Sequence, residues 1–180
     1  LASRPASNVT IGIASGDTTE GTVDPSSLLF TSVNWSAPQT VTVTAVDDAY
    51  ADGDVTYSIV TAPAVSTDPN FGGADPMDVS VTNVDNEAAG IAVSPSGGLV
   101  TTEAGGTETF TVALQSRPLS DVVIGIASSD LTEGAVDQSS LTFTPDNWST
   151  PQTVTITGVN DMALDGNVFY AILTSPAVST

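Results

Sequence analysis

The feature that most constrains this chain is that it repeats itself. Leu1–Thr67 align without a gap on Leu114–Thr180 at an offset of 113 residues, and 44 of the 67 positions are identical. Ser3-Arg4-Pro5 returns as Ser116-Arg117-Pro118, Thr19-Glu20-Gly21 as Thr132-Glu133-Gly134, and Pro38-Gln39-Thr40-Val41-Thr42 as Pro151-Gln152-Thr153-Val154-Thr155. A fixed period means one folding unit used more than once, so any fold assigned to one copy must serve the other. The first copy lacks an opening quarter that the second supplies as Ala88–Ala113; the second lacks an ending that the first supplies as Asp68–Glu87. We expect two domains, 1–87 without its first strands and 88–180 without its last, in a protein that continues both ways.

Within the period, apolar residues alternate with polar ones, as in half-buried strands, and no window of comparable length has a helical period. The reconstructed repeat offers seven segments. Segment A is Gly90–Ser94, resuming at Gly98–Thr102; B is Thr107–Leu114; C is Val122–Ala127, matching Val9, Ile11 and Ile13; D is Ser140–Thr144. Segment E is Gln152–Val159 with Val154 and Ile156 inward, F is Asn167–Leu173, matching Val55, Tyr57 and Ile59, and G is Met77–Val84. Short strands separated by Gly, Pro, Asp and Ser turns predict an all-β chain of tandem immunoglobulin-like, seven-stranded antiparallel β-sandwiches.

Charge narrows the function. The 180 residues carry 21 acids, two arginines, and no lysine, histidine or cysteine, for a net charge of −19. With 40% apolar residues the chain can still build cores. The excess of carboxylates argues against nucleic acid, and no apolar run is long enough for membrane insertion. Without His or Cys, the usual zinc and copper donors are missing and hard oxygen ligands remain. The same absences, with no lysine, remove the usual bases and nucleophiles, so the chain is not expected to be an enzyme.

If seven strands run up and down, turns after A, C, E and G share one end of the sandwich. Sixteen of the 21 carboxylates then fall at that end of their repeat, Asp24 and Asp137 among them. Such crowding is unfavourable unless a cation neutralises it, and Ca²⁺ takes six to eight oxygens at about 2.3–2.6 Å. Acids kept in both copies are the best ligands: Asp17 with Asp130, Glu20 with Glu133, Asp48 with Asp161, and Asp52 with Asp165. The competing explanation is turn chemistry alone, because Asp favours loops for backbone reasons with no metal present. The spacing is not that of an EF-hand loop.

The run Glu103-Ala-Gly-Gly-Thr before Phe110-Thr-Val-Ala-Leu, then Leu141-Thr-Phe, then Thr153-Val-Thr-Ile-Thr-Gly-Val-Asn-Asp161, resembles the Calx-beta domain over essentially the whole chain. It departs where Asn-Trp-Ser-Thr-Pro-Gln replaces the family's Pro-Gly-Glu turn and where the acidic run after segment E is thinner. The resemblance implies calcium bound by these same loops, with Glu103 as an early ligand and Asp85, in Asp85-Asn86-Glu87, as a terminal one. It also implies a setting like that of bacterial surface and matrix proteins. The expected role is a calcium-rigidified spacer in an extracellular or cell-surface adhesin, with neighbouring repeats as partners and Arg4 and Arg117 facing the acidic end of a preceding repeat. Two further readings are open: a repeating subunit packing with other copies in a filament or sheath, and a glycan- or matrix-binding module using Trp35 and Trp148. Those tryptophans equally suit a plug at the edge of the core.

Overall fold

The computed structural model describes residues 1–179, so Thr180, the end of the second expected domain, lies outside the described residues. The described residues contain strands and turns and no helix, and they divide into two compact units. The first unit comprises Leu1–Asp48 and Asp52–Asn86; the second comprises Glu87 onward together with Ala49–Ala51.

In the first unit, β1 (Val9–Ser15) carries the expected alternation, with Val9 and Ile13 buried. It pairs antiparallel with β3 (Ser27–Phe30), β5 (Val55–Thr61) and β6 (Val65–Ser66), and β5 pairs with β7 (Val79–Asn83). The order is β3-β1-β5-β7 with β6 on β1, and a second sheet is formed by β2 (Gly21–Asp24) and β4 (Thr42–Ala45). In the second unit, β10 (Val122–Ser128) pairs with β12 (Ser140–Phe143), β14 (Ile172–Thr174) and β15 (Val178–Ser179). The facing sheet runs β11 (Gly134–Val136), β13 (Gln152–Gly158), β9 (Thr107–Leu114), β8 (Ile91–Ser94).

The two sheets of the second unit enclose Phe110, Val112, Ile124, Ile126, Leu141, Phe143, Val154 and Ile156. Val112, Phe143 and Val154 are fully buried. Each such side chain is worth about 1.5–3 kcal/mol against exposure, which is how a chain of net charge −19 folds.

Three details differ from the strand count read from sequence. Gly21–Asp24 and Gly134–Val136 are strands where a loop was expected. The chain runs along one sheet as β2 or β11, then crosses to the other as β3 or β12, and segment D, Ser140–Thr144, coincides with β12 alone. The crossing moves Asp24 and Asp137 out of the end loops. Asp24 pairs with Thr42 inside the sheet, and Asp137 Oδ1 accepts the Thr155 N–H at 3.0 Å. Segment F, Asn167–Leu173, is strand only from Ile172 onward, and a short strand not expected from the sequence follows in each copy, as β6 or β15. Gly98–Thr102 is not a strand; Leu99 within it packs on the core.

Strand length tracks the presence of a partner. β13 lies between β11 and β9 and has 7 residues, whereas its counterpart β4 pairs only with β2 and has 4. β5 lies between β1 and β7 and has 7 residues, whereas its counterpart β14, among the described residues, pairs only with β10 and has 3. Corresponding segments of the two copies thus form a long strand where both edges are paired and a short one where, among the described residues, a neighbour is missing. Burial follows: Ile156 is 4% exposed and its counterpart Val43 is 37% exposed.

One glycine is required at the same place in each copy. A Cβ on Gly21 would run into the Tyr57 hydroxyl, and one on Gly134 into the Tyr170 ring. The tyrosine lies over the glycine that opens β2 or β11, so the acidic loop just before that glycine is pinned against the sandwich.

Candidate metal centre

The acidic end of the second unit is assembled by three segments laced through their backbones. The turn before β9 carries Glu103, the loop between β10 and β11 carries Asp130 and Glu133, and the segment after β13 carries Asp161 and Asp165. Gly158 N–H donates to Gly106 O at 2.9 Å, joining the first to the third, and Val159 N–H donates to Glu133 O at 2.9 Å, joining the third to the second.

Asp130 shapes the loop that presents Glu133. Its Oδ1 accepts the Thr132 hydroxyl at 2.6 Å and the Thr132 N–H at 2.9 Å, and its backbone carbonyl accepts the Gly134 N–H at 3.1 Å. The Thr132 side-chain and backbone bonds stabilise the charged carboxylate and hold Asp130 below its ordinary pKa. Asp17 is held below its ordinary value in the same way by Thr19, first by the hydroxyl at 2.5 Å and then by the N–H at 3.0 Å. The local pattern Asp-x-Thr-Glu-Gly thus encodes a turn that positions its glutamate.

Glu133, Asp161 and Asp165 each bring one carboxylate oxygen to within 4.8 Å of the others. Burial raises the Glu133 pKa above its ordinary value; the charges of Asp165, Asp161, Asp130 and Glu103 push it further the same way. The half-buried Glu133 is the base of the cluster and the two exposed aspartates form its rim. Asp161 Oδ1 also accepts the Ala163 N–H at 2.8 Å, and Met162 between them sits at φ 63°, a left-handed conformation that costs a non-glycine residue about 1–2 kcal/mol. Gly166 at φ 81° turns the chain directly after Asp165.

The structure therefore brings Glu133, Asp161 and Asp165 together and sets Asp130 and Glu103 close enough for their charges to act on Glu133. Among the described residues this is the one group of three acids as close as this. In the first unit the corresponding acids lie at the same end but are engaged by the chain itself. Glu20 Oε2 accepts the Asn83 side-chain N–H at 3.1 Å, and the same amide donates to Val46 O at 2.9 Å. Asp85 Oδ2 accepts the Gly53 N–H at 2.7 Å, and Asp85 N–H donates to Asp54 Oδ1 at 3.1 Å. Asp48 and Asp52 are exposed in the segment between β4 and β5. Asn83 is the residue the sequence reading missed, because only acids were counted. Its signal is a polar side chain ending an alternating strand, two residues before Asp85.

Arg117 lies elsewhere in the second unit, after β9. Its guanidinium is 5.3 Å from the centre of the Tyr50 ring and 3.7 Å from Asp146, and its N–H donates to Ala49 O at 2.7 Å. Arg4 is exposed. Trp35 and Trp148 are half-buried, and the Asn beside each is spent on its own turn: Asn34 Oδ1 accepts the Thr31 N–H at 2.5 Å and Asn147 Oδ1 the Thr144 N–H at 2.6 Å.

No family model matches the chain, and no curated protein matches it. A solved structure described as the calcium binding domain CBD12 of CALX1.1 is similar to it at 14% sequence identity and a TM-score of 0.48, covering 97% of this chain and 69% of that one.

Proposed function

We propose that the acidic end of the second unit is a Ca²⁺ site, with Glu133, Asp161 and Asp165 as its core and Glu103 and Asp130 as supporting charge. The observation that carries this reading is the convergence of the three carboxylates on one point, with Glu133 held above its ordinary pKa by burial and by its neighbours. A metal-free protein gains nothing from that arrangement, whereas a divalent cation converts the repulsion into attraction. The donor set suits the ion. Three carboxylates offer up to six oxygens, and hard oxygen ligands in flexible, irregular geometry are what Ca²⁺ accepts. Calorimetric titration of the whole chain with Ca²⁺, compared with Glu133→Gln, tests it: saturable binding lost in the variant supports the site.

The module is best read as a calcium-stiffened spacer of a repeat-built extracellular or surface protein rather than an enzyme. Tandem copies with acids gathered in end loops give the ion a mechanical task at the point where one repeat leads to the next. Small-angle scattering on a multi-repeat chain, with and without chelator, measures this directly. A maximum dimension that does not change on calcium removal argues against stiffening.

A further inference from the structure

We propose that the Asn83 side-chain amide is an internal stand-in for a cation, a latch that closes the acidic end of the first unit with no metal bound. The need for it comes from Glu20. That residue is only 9% exposed, in a chain whose basic side chains are two arginines, and its carboxylate makes no ion pair among the described residues. A carboxylate taken out of water without a partner is strongly destabilising.

Asn83 answers it with both hydrogens of one amide. Its Nδ2 donates to Glu20 Oε2 at 3.1 Å and to Val46 O at 2.9 Å. An amide nitrogen has two hydrogens to give, so both are spent. The same chemistry fixes which way the amide points, because turned over its oxygen would face a carboxylate and a carbonyl, two acceptors. An aspartate here would meet those acceptors with nothing to donate, which sets Asn83 apart from the acids around it.

The place of the amide makes it a latch between sheets. Asn83 ends β7, opposite Val55 of β5, in the larger sheet of the first unit. Glu20 directly precedes β2 and Val46 directly follows β4, the two strands of the smaller sheet. Val46 N–H donates to Glu20 O at 3.0 Å, so these two are already joined, and Asn83 ties both to the larger sheet. Two residues on, Asp85 Oδ2 accepts the Gly53 N–H at 2.7 Å and Asp85 N–H donates to Asp54 Oδ1 at 3.1 Å, fastening the segment that leads into β5. The end of β7 thereby holds these loops with bonds of the chain itself. It follows that the first unit stays closed in chelator and that a cation reaches Glu20 only by displacing the amide. This inference concerns the first unit alone and holds whether or not the second unit binds calcium.

The test is hydrogen exchange on the intact chain in chelator, read over β2 and β4, with β9 and β13 as the internal control. Asn83→Asp keeps the shape of the side chain and replaces the donor by a charge. It should cut protection of β2 and β4 at least about tenfold and leave β9 and β13 unchanged. In a Glu20→Gln background the repulsion is gone and the Gln amide can donate in turn, so the same substitution should cost about threefold or less. Asn83→Ala, carried through the same two backgrounds, gives the comparison with equal loss of packing should the aspartate unfold the unit. Parent protection over β2 and β4 should be the same in Ca²⁺ as in chelator. Equal losses in both backgrounds, no loss in either, or parent protection that rises when Ca²⁺ is added overturns the proposal.

Discussion

Glu133 and Asp165 bring carboxylate oxygens to within 4.8 Å of each other from loops 32 positions apart in sequence, and the charge of Asp165 is the largest single-residue influence raising the Glu133 pKa. The pair is repulsive by itself. Replacing Glu133 by Gln removes one unit of charge facing the ion and should weaken Ca²⁺ binding at least about tenfold. In chelator the same variant should melt higher than the parent, because the repulsion is gone. Thermal melts of both proteins, with and without Ca²⁺, check the opposite signs.

The raised Glu133 pKa also fixes a pH trend. In the window above its ordinary value of 4.5, the folded state holds this proton more tightly than the unfolded chain. Its contribution to stability is therefore present at the lower pH and is lost as pH rises through the folded-state value. Metal-free protein should show this component of instability growing through that window and levelling off above it, and Glu133→Gln should remove it. Denaturant midpoints measured in chelator across the range reveal whether the variant flattens the curve.

Asp130 has the opposite sign. Its pKa lies below the ordinary 3.8 because of the two Thr132 bonds, so its contribution is present above that value and is lost as pH falls through the folded-state value. Thr132→Val deletes the hydroxyl, the larger of the two causes, and should bring the Asp130 titration back toward its ordinary position. Carboxyl chemical shifts followed through the acid range report it directly.

Equivalent core positions should differ in cost. Ile156 is 4% exposed between two sheets, and Ile156→Ala should destabilise the second unit by about 2–5 kcal/mol. Val43, its counterpart, is 37% exposed, and Val43→Ala should cost the first unit about 1 kcal/mol or less. Hydrogen exchange, read separately over β13 and β4, distinguishes the two.

Much of the fold was legible in the sequence because alternation is a local signal. Thr107–Leu114 was read to the residue, and the inward pair Val154 and Ile156 is buried as expected. What was not legible depended on partners remote in sequence. β2 and β11 exist because the chain crosses between sheets and pairs with segment E on the way, a relation no short window contains. β14 is short where, among the described residues, no strand lies beyond it, and Phe169 and Ala171 stand where β5 has the polar Thr56 and Ser58.

The site divides in the same manner. Repetition of Asp-x-Thr-Glu-Gly pointed to Glu133, and parity of the turns placed Asp161 and Asp165 at its end. Asp24 and Asp137 failed that sorting because the crossing holds Asp24 inside β2 and Asp137 against Thr155 just past β11. That the first unit answers its glutamate with Asn83 while the second gathers three acids follows from side-chain placement, which repeat alignment does not carry.

The central claim is that the acidic end of the second unit binds calcium, and calorimetric titration of the intact chain with Ca²⁺, beside Glu133→Gln and Asp165→Asn, tests it most directly. Saturable binding in the parent that both variants weaken at least about tenfold is the predicted result. Absence of binding in the parent, or the same affinity in all three proteins, would contradict it.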